Sequence, residues 1–345
     1  MNNYKHHIFE TTFSQLEENI SNYPKYRYSQ IINWVYKNFI FSPFEMINLP
    51  LKLREEISEK FIWEYPKLVQ KQDTADKTSK YLLKLHDDEH IEFVLIDSIK
   101  RKTFCLSSQV GCPVQCYFCA SGAYGLKRNL SAGEIVAQFL LGCHYLKKHP
   151  DNVVFMGIGE PFLNFTNLIT SLNILCAPEY INYAARRITI STCGIPSGII
   201  KLANLEKQWN LAVSLHAVDN DMRALLIPAK YNFPLQDIYD SCKYYYNKTG
   251  RMITLEYTLI KDINDKLKYA DLLSKISFDL KAKINLIPYN STEHSTFARP
   301  EQQACINFAN RLTKNGANIT FRLEKGNKIN AACGQLRANI IKNSF

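Results

Sequence analysis

The chain has 345 residues, 46% of them hydrophobic and 21% charged, which suits a folded globule with a sizeable core and argues against disorder, collagen and coiled coil. Lys and Arg number 42 against 32 Asp and Glu, and the resulting +10 suits a polyanionic partner, nucleic acid first because the Lys-rich segments lack the amphipathic helix of a membrane binder. Mean hydropathy of −0.22, no apolar run long enough to span a bilayer and a polar start at Met1-Asn-Asn-Tyr-Lys-His-His7 predict neither a membrane segment nor a secretory signal.

In chain order, Ile31, Ile32, Val35, Tyr36 and Phe39 recur at three- and four-residue spacing and predict an amphipathic helix over Tyr28 to Phe39. A second short helix is expected over Leu51 to Phe61, then a hairpin from about Tyr81 to Ile96 turning at Asp87-Asp-Glu89. These opening hundred or so residues read as a small separate module. Beyond them, short apolar strands are expected at Thr103 to Ser107, Val153 to Gly157, Arg187 to Ser191, Leu211 to Leu215, Ile253 to Leu259, Ile284 to Pro288 and Ile319 to Leu323. Helical stretches such as Ala132 to Leu146, Asn167 to Leu175 and Asp265 to Ile276 separate them. This α/β alternation predicts a parallel sheet, either doubly wound or curled into a full or partial barrel. In such folds ligands bind beyond the carboxyl ends of the strands. Those ends carry a cysteine cluster, Gly157-Ile-Gly-Glu-Pro161, Ser191-Thr-Cys-Gly194, Ser214-Leu-His216 and Pro288-Tyr-Asn290.

Ten cysteines without a secretion signal suit a reducing, cytoplasmic location, where clustered thiols more often mean metal or catalysis than disulfides. Cys112, Cys116 and Cys119 have the spacing C-x3-C-x2-C. Three thiolates on one tight loop can hold a [4Fe–4S] cluster and leave one iron open to a small molecule. A zinc site is the alternative, although structural zinc usually has four ligands; Cys105 could be the fourth, but it sits seven residues upstream inside an apolar strand. Cys143, Cys176, Cys242 and Cys305 fall in helical patterns and read as core. Cys333 alone could be a buried hydrophobe or, beside the turn-forming Gly334, an exposed sulfur.

The cysteine loop, the aromatic Phe118 before its last cysteine and Gly157-Ile-Gly-Glu-Pro161 resemble the radical SAM enzymes. Cys105-Leu-Ser-Ser-Gln-Val-Gly-Cys112, Phe118-Cys-Ala-Ser-Gly122, Lys127-Arg-Asn-Leu130, Ser214-Leu-His216 and Ala331-Ala-Cys-Gly-Gln-Leu336 narrow the resemblance to the RlmN/Cfr family of RNA adenosine methyltransferases, over essentially the whole chain. The resemblance implies a partial (βα)6 barrel over 101–345 with a C-terminal extension carrying Cys333, a mostly helical RNA-binding accessory domain over 1–78 and a β-hairpin extension over 79–100. It implies one [4Fe–4S] cluster on Cys112, Cys116 and Cys119, with S-adenosylmethionine held by Gly159, Glu160, Ser191, Ser214, Leu215, His216 and Asn290. Cys193 stands where the family commonly has serine and is assigned no role.

Ring carbon C2 of adenine is electron-poor and cannot attack the methyl of S-adenosylmethionine directly, so a radical route is needed. The family scheme implies that one S-adenosylmethionine methylates Cys333 and a second is cleaved to a radical that takes hydrogen from that S-methyl group. The resulting methylene adds to the ring, and Cys105 then attacks the sulfur of Cys333, forming a disulfide that releases the methylated base. Period-two alternation by itself turns Glu92 toward solvent. Its position thirteen residues before Cys105, however, matches the family's proton-accepting carboxylate. Pro161 and Val110 resemble the RlmN branch, which acts at C2, rather than the Cfr branch, which acts at C8.

The implied partners are 23S rRNA, at an adenosine of the peptidyl-transferase loop, tRNA, at an adenosine beside the anticodon, and an electron donor such as flavodoxin; a monomer is expected. Lys100-Arg-Lys102, Lys127-Arg128, Arg186-Arg187 and the C-terminal stretch are candidates for phosphate contacts. In that last stretch Lys328 and Asn330 replace usual acids, and Arg322, Lys325, Lys328, Arg337 and Lys342 against Glu324 leave +4. The readings from other classes are a metal-stabilised RNA-binding protein without catalysis and a radical enzyme acting on a small molecule. The five cysteines Cys105, Cys112, Cys116, Cys119 and Cys333 speak against the first, the net charge against the second.

Overall fold

A computed structural model describes residues 5–98, 101–292, 295–321 and 334–336. The chain opens with β1 (His6–His7), α1 (Phe13–Asn19), α2 (Tyr26–Ile32), which continues into a wider π turn at Asn33–Lys37, α3 (Leu51–Lys60) and β2 (Phe61–Ile62). Next come β3 (Lys67–Asp73), β4 (Thr78–Lys84), β5 (His90–Asp97) and β6 (Lys102–Cys105). A small hairpin of β7 (Gln109–Gly111) and β8 (Leu126–Asn129) brackets the cysteine loop. Helices and strands then alternate: α4 (Ala132–Leu146), β9 (Asn152–Phe155), α5 (Phe165–Cys176), β10 (Ile188–Thr192), α6 (Pro196–Asn204), β11 (Asn210–Ser214), α7 (Asn220–Ala224) and α8 (Leu235–Thr249). The series ends with β12 (Ile253–Leu259), α9 (Leu267–Asp279), β13 (Ala282–Pro288), α10 (Gln302–Lys314) and β14 (Ile319–Phe321).

Ten of these strands form one sheet in the order β14-β13-β12-β11-β10-β9-β6-β5-β4-β3. From β6 to β14 every pairing is parallel, and each crossover lands on the next strand in the same direction. A doubly wound sheet reverses its order at a switch point. No reversal occurs among the described strands, so the sheet is singly wound, the path of a (βα)6 barrel. The expected hairpin forms, with β4 and β5 pairing antiparallel around Asp87–Glu89, and β5 joins it directly to β6. β3 was not expected: it lies at the sheet edge, almost wholly exposed, so neither face shows an apolar period. A register shift between Leu68 and Gln70 bends it, and Lys67 and Lys71 line it.

The two faces of the sheet pack differently. Ile91, Phe93 and Leu95 of β5, Phe104 of β6 and Val153 and Phe155 of β9 enter the main core under the helices. Gly142 of α4 lets Phe104 in; a Cβ there would lie 2.5 Å from its ring. α4 is buried almost all round because the opening residues cover its far side, with Glu10 accepting a hydrogen bond from Gly133 N (2.7 Å) and the His7 ring lying against Gly133. The opening helices thus share the main core. On the opposite face a small separate cluster joins Val94, Cys105, Ile158 and Leu336. Among the described residues no helix is long and apolar enough to cross a membrane.

Candidate active site

The cysteine loop begins where Gly111 takes φ +74°; a side chain there would run into Gly125 O at 2.0 Å, and Cys112 N donates to that same oxygen (3.0 Å). Gly122 packs on the Gln115 backbone so closely that a Cβ would come within 2.6 Å. Thus closed, the loop sends Cys112, Cys116 and Cys119 to one cavity, and all three are free thiols. The cavity lies at the carboxyl ends of the parallel strands. Gly159 and Glu160 follow β9, Ser191 and Thr192 end β10, Ser214 ends β11 and His216 follows it, and Tyr289 follows β13. Gly159 has φ +111°, and a Cβ would sit 2.7 Å from both Ser108 Oγ and Gln109 Cβ, so only glycine fits.

Glu160 is buried and fully engaged. Its Oε2 accepts from Cys193 N (2.7 Å), its Oε1 from Phe162 N (3.1 Å), and its own N donates to Gln109 Oε1 (2.8 Å). Burial nevertheless raises its pKa above the usual carboxylate value, so a cationic ligand would find here a carboxylate short of counter-charge. His216 takes the left-handed φ of +56°, its Nδ1 accepts from Thr258 N (3.1 Å), and burial followed by the nearby Arg223 lowers its pKa to about 3. The ring is therefore a neutral wall of the cavity, edge-on to Phe118.

Burial lifts the cysteines too: Cys112 is pushed up to about 12, Cys116 well above its ordinary value and Cys119 also upward. A metal centre removes this obstacle, because it binds the thiolate form. Among the described residues no three His, Cys, Asp or Glu side chains gather as a single-ion site. Three thiols from one tight loop on one cavity wall are a donor set that fits an iron–sulfur cluster, whose irons are held by Cys thiolates.

Of the other expected residues, Leu215 is fully buried and Asn290 nearly so, and neither lines the cavity. Cys193 does line it, while Cys143, Cys242 and Cys305 lie in the core and Cys176 is half-buried. Cys333 lies outside the described residues, as do Lys328, Asn330 and the rest of the basic C-terminal stretch. The residues after Cys333 are placed. Ala120 N donates to Gly334 O (2.8 Å) and Ser121 Oγ to Leu336 O (2.7 Å), which pins this segment to the cysteine loop, and Leu336 packs with Cys105.

Glu92 does not face solvent. It is buried on the Cys105 face of β5, and Lys80 Nζ approaches its Oε1 at 2.9 Å. Alternation predicts an exposed face only where nothing covers it, and both faces of β5 are covered. Arg128 is likewise not a free phosphate ligand: it joins Asp87 to Glu134, the latter at 2.8 Å, and so ties the hairpin turn to the start of α4. Lys102 pairs with Asp97. Lys127, Arg186 and Arg187 are exposed. Sequence reasoning passed over Arg223, Glu256 and Thr258; the signal for Glu256 was a lone acid inside the apolar strand Ile253–Leu259.

Residues 106–273 match the Radical SAM superfamily. A "Probable dual-specificity RNA methyltransferase RlmN" of Dictyoglomus turgidum is 41% identical, the match covering 93% of this chain and 92% of the relative. The chain belongs to the RlmN family. A relative of the same description from Petrotoga mobilis is 40% identical over 97% of each chain. The crystal structure of a radical SAM methyltransferase from Sphaerobacter thermophilus superposes with a TM-score of 0.93 at 38% identity, covering 97% of this chain and all of that one. As an RlmN-family radical SAM protein, this chain is an S-adenosylmethionine-dependent methyltransferase, and the family implies an iron–sulfur cluster and an RNA substrate.

Proposed function

We propose that the enzyme places a methyl group on C2 of an adenosine in the peptidyl-transferase loop of 23S rRNA, and also on the adenosine beside the anticodon of tRNA, with Cys333 as carrier. The observation that carries this reading is the small cluster on the inner sheet face, which holds both Cys105 and Leu336, the latter three residues beyond Cys333 in the chain. A transfer that ends in sulfur-to-sulfur attack needs two cysteines brought together, and a packing cluster shared by Cys105 and Leu336 supports this reading.

In this reading Cys112, Cys116 and Cys119 hold a [4Fe–4S] cluster that, with S-adenosylmethionine bound, supplies the one-electron chemistry of the family. Glu160, Gly159, Ser191, Ser214 and His216 bind and orient the cofactor, with Leu215 and Asn290 supporting them from behind the wall. Glu92 takes the ring proton from C2, and Cys105 releases the product from Cys333. Residues 1–78 serve as the RNA-binding accessory domain and 79–100 as the hairpin extension. Exposed Lys127, Arg186 and Arg187 contact phosphates, and a flavodoxin-type donor reduces the monomeric enzyme in the cytoplasm. Pro161, whose ring starts the turn that closes on Glu160, and Val110 favour C2 over C8.

The test is anaerobic incubation of the reconstituted protein with S-adenosylmethionine, a reductant and unmodified 23S rRNA, followed by nucleoside mass spectrometry. 2-Methyladenosine, absent with Cys333→Ala, is the expected result. 8-Methyladenosine would move the enzyme to the Cfr branch, and no methylated nucleoside from a verified cluster would remove the rRNA assignment.

A further inference from the structure

Among the described residues Arg223 is the only lysine or arginine with a buried side chain, and none of its surface is exposed. It sits in α7, just after the Ser214-Leu-His216 turn. Its guanidinium is held by main-chain carbonyls: Nη1 donates to Leu215 O (2.7 Å) and Ser214 O (3.3 Å), and Nη2 donates to Cys193 O. Its Nε has no hydrogen-bond partner among the described residues. No carboxylate there pairs with it either. Gly194, at φ +97°, makes room for it, since a Cβ there would come 3.3 Å from Nη2.

A buried cation without a counter-ion is costly, and carbonyl dipoles offset only part of that cost. Burial lowers the pKa of Arg223, and the groups that work against that lowering, once ionised, are Cys193, Cys116 and, more weakly, Tyr239. The backbone makes the same link to the cysteine loop. Leu226 and Ile227 N both donate to Arg223 O (3.0 Å each), and Tyr117 N, next to Cys116, donates to Leu226 O (3.0 Å). Arg223 therefore belongs to a turn hooked onto the loop of the three cysteines, with its guanidinium on the carbonyl of Cys193, which lines the same cavity.

We propose that Arg223 is a positioning residue and the fixed counter-charge of the cluster bound by Cys112, Cys116 and Cys119, clamping the ends of β10 and β11 while favouring the cluster's acceptance of an electron. The inference rests on the reading that this loop holds an iron–sulfur cluster. Three thiolates make the bound centre anionic, and each electron added increases its negative charge. A fixed positive charge beside it in a low-dielectric site stabilises the reduced form more than the oxidised one.

The test is a redox titration of the reconstituted full-length protein, with the reduced cluster read by electron paramagnetic resonance and with iron content and Tm measured in parallel. With iron content matched, Arg223→Met is expected to lower the reduced-to-oxidised ratio on the order of tenfold at the potential where the unaltered protein is half reduced. Arg223→Lys, which keeps the charge but not the three-way fork, is expected to restore most of that ratio while its Tm stays low. If Arg223→Met does not fold, Arg223→Gln removes the charge while keeping two donors for the carbonyls. A loss of Tm with the potential unmoved in the uncharged variants would make Arg223 a structural clamp and overturn the proposal. An unaltered protein that takes up no iron would overturn the cluster reading itself, a separate failure visible before any variant is made.

Discussion

β5, β6 and β9 present two buried faces with opposite duties. Phe93, Phe104 and Phe155 enter a core that continues through α4 to the opening helices, where side chains are mostly aromatic or aliphatic and the buried hydroxyls of Tyr28 and Tyr36 donate to main-chain carbonyls. One residue away in each strand, Glu92, Cys105 and Val154 turn to the other face, which carries an ion pair, a thiol and a cluster completed by Leu336 from the far end of the chain. The main core needs nothing added to be complete. The inner face is built from groups that packing alone would not select, and there stability and chemistry are separable.

That contrast is broken most decisively at the cysteine loop. Cys112→Ala, Cys116→Ala and Cys119→Ala are each expected to abolish methyl transfer and iron retention while leaving far-UV circular dichroism unchanged; iron analysis beside a methylation assay checks this, and retained activity in any of them would sink the assignment of the loop. Next in size is the outer face. Phe104→Ala empties a site walled by Gly142, Phe93 and Phe139 and should cost about 3–5 kcal/mol by denaturant titration, with activity per folded molecule largely kept at low temperature.

Cys105→Ala sharpens the comparison from the neighbouring position. It should cost no more than about 1.5 kcal/mol, since only a small side chain is removed, yet it should leave RNA covalently attached to the protein through Cys333. A denaturing gel with labelled RNA reads this directly, and free product at the normal rate would exclude Cys105 from the release step. The smallest effect concerns Arg128. Its guanidinium holds the Asp87 carboxyl down at about 2 from an ordinary 3.8. A depressed carboxylate adds stability above its unfolded pKa, and that increment disappears as the pH falls through the folded one. The Asp87 share of the stability gap between the unaltered protein and Arg128→Met should therefore be full above pH 4 and close toward pH 2, an increment of less than about 1 kcal/mol for a part-exposed pair, on top of the loss of the Arg128 contact to buried Glu134. A gap independent of pH would show that packing of the Arg128 stem matters more than its charge.

Much of this was legible in the sequence. The strands of the barrel lie within a few residues of their predicted places because each is a short apolar run between clear helical stretches, and α4 runs over Ala132–Leu146 as expected. The cysteine loop and the Gly157-Ile-Gly-Glu-Pro161 turn stood out because tight backbone and closely spaced thiols leave compact signatures. Glu92 misled because period two says which residues share a face, not whether that face is covered. Arg128 read as a phosphate ligand because its partner Asp87 is forty-one residues away. Arg223 passed unnoticed because an arginine bonded to carbonyls leaves no matching acid in the sequence to pair it with.

The edge strand β3 has a consequence for how the protein keeps company. A ten-stranded sheet that ended in a flat apolar strand would invite a second copy to extend it. Here the edge is kinked between Leu68 and Gln70 and fringed by Lys67 and Lys71, whose ammonium groups lie over the rings of Tyr65 and Tyr81. The sheet thus ends in a bent, lysine-fringed edge on which a second copy finds no straight strand to pair with, even though Leu68 and Val69 are exposed there.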